Sequence, residues 1–149
     1  NYSQGLPPML VSSLEAAGLN SGLMMPHYTA VSLVLENQTL AHPDSVHSLP
    51  TSAGQEDHNA NALTAARHTR AIIHNVSHIL AIHFFTAAQA IDLRRAANPS
   101  LQLAAATAAA QAAIRESAPF VERDRIYQAD IERLAERVRG GDFAREMQT

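Results

Sequence analysis

Apolar residues recur at helical spacing from Leu23 to Leu40, with Tyr28, Val31, Leu33, Val34 and Leu35 among them, and predict a first helix. Pro26 falls in its first turn, where a missing N–H costs little. Ala41-His42-Pro43-Asp44 ends it, because the residue before a proline resists the α region. From Glu56 to Ala97 there is neither Pro nor Gly. Leu63, Ile72, Ile73, Val76, Ile79, Leu80, Ile82, Phe84, Phe85 and Ile91 predict one long, largely buried helix across that stretch. Asn98-Pro99-Ser100 stops it, and an Ala-rich helix is expected from Leu101 to Arg115. Pro119 breaks that one. Asp130 to Arg139 then reads as a short amphipathic helix with Ile131, Leu134, Ala135 and Val138 on one face, closed by Gly140-Gly141. Turns are expected at Gly5-Leu6-Pro7-Pro8 and from Gly18 to Gly22. His42 to Gln55, with Pro43, Pro50 and Gly54, is a loop long enough to suggest a function.

The pattern predicts an all-α fold, a bundle built on long helices. Residues 1–55 supply an N-terminal loop, a helix and a candidate active-site loop. Residues 56–149 supply the long central helix and the C-terminal helices, the two parts forming one structural unit. A helix of about 40 residues is roughly 60 Å long, whereas a domain of this size has a radius of gyration near 15 Å. The long helix therefore overhangs its own domain. Its apolar middle predicts a partner, either further subunits or the rest of a larger polypeptide.

Composition narrows the chemistry. The chain has 149 residues, of which 46% are apolar, and no cysteine. That removes disulfides, thiolate nucleophiles and cysteine-ligated zinc. All 11 basic residues are Arg, so no Lys Schiff base forms within the chain. A net charge of −3 argues against a nucleic-acid-binding face. No uninterrupted run of about 18 apolar residues is present, so no membrane span is expected. The N-terminus lacks the pattern of a signal peptide, and a cytoplasmic location is expected. The first residue is Asn1 rather than Met, which is compatible with processing or fragmentation. Charge is segregated: Glu15, Glu36, Asp44, Glu56 and Asp57 precede the first basic residue, Arg67. That unbalanced acidic stretch also points to a partner or ligand.

Three groups are candidates for chemistry. His74 and His78, spaced i,i+4, share a helix face suited to zinc, but no third ligand stands at a zincin-like distance. His68, His74, His78 and His83 are therefore read as partly buried helix residues with hydrogen-bond partners, and no metal is expected. The second group is Pro50-Thr51-Ser52-Ala53-Gly54-Gln55-Glu56-Asp57-His58. Thr51 or Ser52 can cap the long helix, with Glu56 and Asp57 on its positive end. Equally, a carboxylate at a loop–helix junction can serve as a general base or bind an amine. The third group, Leu23-Met24-Met25, reads as core filling on spacing alone.

Taken in order, these blocks resemble a known family. Gly5-Leu6-Pro7-Pro8, Gly18-Leu19-Asn20-Ser21-Gly22-Leu23-Met24, Glu36-Asn37, Leu40-Ala41-His42-Pro43, Ser45-Val46, Ser48-Leu49-Pro50-Thr51-Ser52-Ala53 and Gln55-Glu56-Asp57-His58 are similar to the C-terminal part of the aromatic amino acid ammonia-lyases, in their histidine ammonia-lyase branch. Pro119-Phe120-Val121-Glu122, Asp124-Arg125 and Asp130-Ile131 are similar to the end of those enzymes. The resemblance implies a mostly α-helical enzyme, a homotetramer on long helices. Its reaction eliminates ammonia from an L-amino acid, giving urocanate from histidine. Its electrophile is 4-methylideneimidazol-5-one (MIO), which the family forms from an Ala-Ser-Gly tripeptide.

By the same resemblance, Glu56 is the catalytic glutamate near the amine and the imidazole side of the substrate. Met24 lines the substrate pocket, and Ser52 faces it at a position that varies among subfamilies. Gln55 is placed beside them as a substrate-site neighbour and Asp57 as structural. Gln55-Glu56 favours histidine: the phenylalanine and tyrosine enzymes resemble Asn-Gln-Asp here, and a phenyl ring offers a carboxylate no partner. The chain departs from the family at Gly54 (usually Asn), His47 (usually Asp) and Asn59-Ala60 (usually Val-Ser). It contains no Ala-Ser-Gly; Ser52-Ala53-Gly54 has the wrong order. An N-terminal portion of the same enzyme is therefore the expected partner, and the chain alone is expected to be inactive. The alternatives are a phenylalanine or tyrosine ammonia-lyase or aminomutase, and a helical assembly protein without catalysis.

Overall fold

The computed structural model describes residues 5–12 and 18–146. Among them are five α-helices: α1 (Met24–Leu40), α2 (Ala62–Ala97), α3 (Ala105–Ser117), α4 (Gln128–Gly140) and α5 (Asp142–Glu146). No strand occurs among the described residues; Thr51 and Glu56 form an isolated bridge. The all-α expectation holds.

α2 is the spine, 36 residues and so roughly 54 Å long. α1 runs antiparallel to it. Asp44, just beyond the end of α1, meets His68 near the start of α2, Glu36 and Asn37 meet Asn75, and Leu23 packs with Phe85. α4 crosses the far half of α2, where Phe85, Ala81 and Ala88 are buried with Leu134 and Ala135. α3 closes this core with Ala113 and Ile114, and α5 adds Phe143, whose ring lies edge-on to Phe84 at 4.9 Å. The polar residues buried on α2 are bonded rather than orphaned. The Asn75 amide donates to Glu36 (3.1 Å) and Asn37 (3.0 Å) across to α1.

Three boundaries differ from expectation. α2 begins at Ala62, not Glu56. Asn59 and Asn61 spend their side-chain amides on loop carbonyls, a bonding that competes with helix. Thr51 and Ser52 therefore do not cap α2, and Glu56 and Asp57 do not stand on its positive end. α3 begins at Ala105 rather than Leu101, because Asn98 turns the chain first, accepting from the Ser100 N–H (3.3 Å) and hydroxyl (2.7 Å). After α4, Gly141 takes a left-handed φ of 72° and the chain resumes as α5, which the paired glycines concealed.

The middle of α2 is less enclosed than its composition suggests. Ile73, Val76 and Leu80 are exposed, as are Met25, Tyr28, Val31, Val34 and Leu35 on α1. An 18-residue stretch of α2 has a mean hydropathy of 1.3, so this helix is long and apolar enough by composition to cross a membrane. The core helix of a bundle has the same property, and the bonded Asn75 on α2 joins it to α1 while Gln89 joins it to the loops at Leu10 and Val121.

Candidate active site

The sequence-predicted site residues fall in two places. Met24 opens α1 and is half-buried. Its frame is built by segments distant in sequence. The Asp124 carboxylate accepts from the Ser21 N–H (2.6 Å) and the Gly22 N–H (2.9 Å), while Asn20 accepts from the Asp124 N–H at 3.0 Å. A carboxylate thus binds the two backbone N–H groups just before the α1 N-cap, Leu23, on the side where a helix N-terminus favours negative charge. Gly22 is required there: its φ is +57° and a Cβ would lie 2.4 Å from the Met9 carbonyl oxygen. That same oxygen accepts from the Leu23 N–H at 2.8 Å.

Tyr127 donates its phenolic proton to the Gly22 carbonyl (3.2 Å). Burial, and next the negative charge of Asp124, push its phenol above the ordinary value, so it stays a neutral donor. Gln89, fully buried on α2, binds the two loops behind this frame. Its amide nitrogen donates to Val121 (3.0 Å) and Leu10 (3.3 Å), and its oxygen accepts from the Val121 N–H (3.1 Å). The Gly18–Met24 and Pro119–Arg125 blocks, far apart in sequence, therefore meet at one spot. Gln89 and Tyr127 were not singled out from sequence, and Asp124 only as part of the tail block similar to the end of the family's enzymes. Their signal, an amide on an apolar helix face and polar groups after Pro119, looks like ordinary surface until the partners are known.

The second place is the loop between α1 and α2. Thr51 and Glu56 exchange backbone hydrogen bonds, Thr51 N–H to the Glu56 carbonyl at 2.7 Å and the reverse at 3.3 Å. The turn they close is left-handed: φ is 55° at Ser52, 58° at Ala53 and 85° at Gly54. Two non-glycine residues there store strain of about 1 kcal/mol or more each. Ser52, Gln55 and Glu56 all lie on this turn and are exposed. The Glu56 carboxylate makes no hydrogen bond or ion pair with any described residue. It is thus available to a group from outside.

Met24 and this turn are not brought together. They lie off opposite ends of α1, a helix of 17 residues and so about 25 Å. Two histidines of α2 are engaged elsewhere. His78 has Nδ1 at 2.9 Å from the His74 carbonyl and Nε2 at 3.1 Å from Glu132, and His68 faces Asp44 at 3.2 Å. His74 and His83 are exposed rather than partly buried, His74 lying against the His78 ring.

Comparison with known proteins gives a consistent picture. The family model described as aromatic amino acid lyase matches residues 1–116. The chain is 45% identical over 141 residues to a histidine ammonia-lyase of Gloeobacter violaceus, covering 95% of this chain and 26% of that protein. It superposes on the crystal structure of histidine ammonia-lyase from Trypanosoma cruzi with a TM-score of 0.86 at 36% identity, over 96% of this chain and 27% of that one. It superposes equally on the tyrosine aminomutase of Streptomyces globisporus, with a TM-score of 0.87 at 35% identity, over 97% of this chain and 26% of that one. The chain thus spans about a quarter of the length of the relatives it matches.

Proposed function

The chain belongs to the aromatic amino acid lyase family, and from that premise we propose that it is the C-terminal portion of a lyase eliminating ammonia from L-histidine to give urocanate. In that reaction the C–N bond and a β C–H bond break and a C=C bond forms. The observation that carries the substrate assignment is the Glu56 carboxylate, exposed and without a partner among the described residues, on the turn it shares with Gln55 and Ser52. A carboxylate there can accept from an imidazole N–H or pair with an ammonium, and it has nothing to offer a phenyl ring.

The family's MIO electrophile does not fit the residues of this chain. Ser52-Ala53-Gly54 is the nearest match, with its first two residues interchanged and all three in an exposed left-handed turn. The electrophile belongs to the N-terminal portion, and what this chain supplies is side-chain recognition. In our reading Glu56 acts on the substrate's imidazole or amine, and Met24, Ser52 and Gln55 shape its pocket. The separation of Met24 from the turn supports a pocket completed by other copies, and the exposed apolar residues of α1 and α2 suit a homotetramer bundled on these helices. A freely soluble amino acid substrate goes with a cytoplasmic location.

The likeness to a tyrosine aminomutase keeps a second substrate class in view, because the fold scores alike for both. Competition among His, Phe and Tyr for the assembled enzyme tests the choice. Histidine as the preferred substrate supports the proposal, and preference for an aromatic ring without nitrogen overturns it.

A further inference from the structure

The segment between α1 and α2 is about 20 residues long, a length at which an irregular connection needs side chains to hold it. Apart from Ala41, His42 and Asn61 at its ends, which bond into α1 and α2, its backbone–backbone bonds are local, within residues 43–47 and within 51–56. What ties its outgoing limb to its returning limb is two carboxamides. Asn61 donates from one Nδ2 to both the Asp44 carbonyl (3.0 Å) and the His47 carbonyl (2.7 Å). Asn59 donates from Nδ2 to the Leu49 carbonyl (2.9 Å) and to the Thr51 hydroxyl (3.4 Å), and its backbone N–H reaches the Ser48 hydroxyl at 3.0 Å. The Asp44–His68 contact then fixes the base of the loop to α2.

We propose that Asn59 and Asn61 are positioning residues, a two-amide clasp that holds the Ser52–Glu56 turn where its residues meet substrate. The proposal rests on the lyase reading above for what the turn does, and on the hydrogen bonds alone for what the clasp does. Two strained residues, Ser52 and Ala53, keep their left-handed backbone only if the flanking limbs are fixed, and Asn59 bonds to Thr51, the residue immediately before them. The groups used are donors: Nδ2–H bonds aimed at carbonyls. An aspartate of the same shape has no such donor and sets a negative charge against those carbonyls.

The test is hydrogen exchange and steady-state kinetics on the assembled enzyme with Asn59→Ala, Asn59→Asp and Asn61→Ala. The expected result is exchange at the Thr51 and Glu56 amides at least tenfold faster in all three, with the α2 and α4 amides unchanged. kcat for L-histidine falls at least tenfold while KM moves less than threefold. Unchanged exchange at Thr51 and Glu56 overturns the clasp. Exchange restored in Asn59→Asp overturns the donor argument, since shape alone would then suffice. Faster exchange with kcat intact overturns the positioning role. A parent enzyme that exchanges as expected but releases no ammonia from histidine overturns the lyase reading and leaves the clasp standing, so the two failures are separable.

Discussion

Gln89→Met is the sharpest probe of how the frame around α1 is held. The substitution keeps length and volume, so it removes hydrogen bonds with little change in packing. Gln89 is 0% exposed, and no water can replace its amide without rearrangement. The variant leaves the Val121 N–H and carbonyl without their partners, formerly at 3.1 and 3.0 Å, and weakens the Leu10 carbonyl, formerly at 3.3 Å. An orphaned buried backbone group costs about 1–3 kcal/mol. Two such groups, offset in part by the better burial of a thioether, give a loss of about 3 kcal/mol. That is a large share of the roughly 5–15 kcal/mol a domain has. Urea unfolding gives the magnitude, and hydrogen exchange at the Val121 amide locates it. A loss under about 0.5 kcal/mol, the level of an ordinary surface substitution, refutes the reasoning.

Gly22→Ala places a Cβ 2.4 Å from the Met9 carbonyl oxygen at a φ of +57°, so the Met9–Leu23 hydrogen bond must give way. A destabilisation of about 2 kcal/mol or more is expected in thermal unfolding. Tyr127 sets an alkaline limit. Its folded pKa lies above the ordinary value of about 10, so its contribution is complete below that pH and is lost as pH rises through the folded pKa. Stability measured across that range should fall with rising pH in the parent and show no such component in Tyr127→Phe.

How far the sequence could be read depended on whether the deciding forces were local. α1 and α4 were legible because Pro26 at one start and Gly140-Gly141 at one end act within a turn of the residues they punctuate. The start of α2 was not, because nothing in Glu56-Asp57-His58-Asn59-Ala60-Asn61 forbids a helix. What displaces it is the reach of Asn59 and Asn61 to carbonyls ten to seventeen residues away. Likewise the Gly18–Met24 block announces a tight turn, but the carboxylate that binds its N–H groups is Asp124, more than a hundred residues later. The candidate site residues were legible by kind and order only. That the Glu56 carboxylate meets no described residue on its strained turn, and that α1 separates it from Met24, are consequences of tertiary packing that no spacing encodes.

In the proposed function this chain brings the Glu56 carboxylate to the side chain of a histidine substrate. The direct measurement is the initial rate of urocanate formation, followed by absorbance, in the enzyme assembled from this chain and its N-terminal portion, as parent and as Glu56→Gln. Steady urocanate release is expected in the parent and a fall of about 100-fold or more in the variant, in line with losing a charged catalytic group. Parental rates in Glu56→Gln would contradict it.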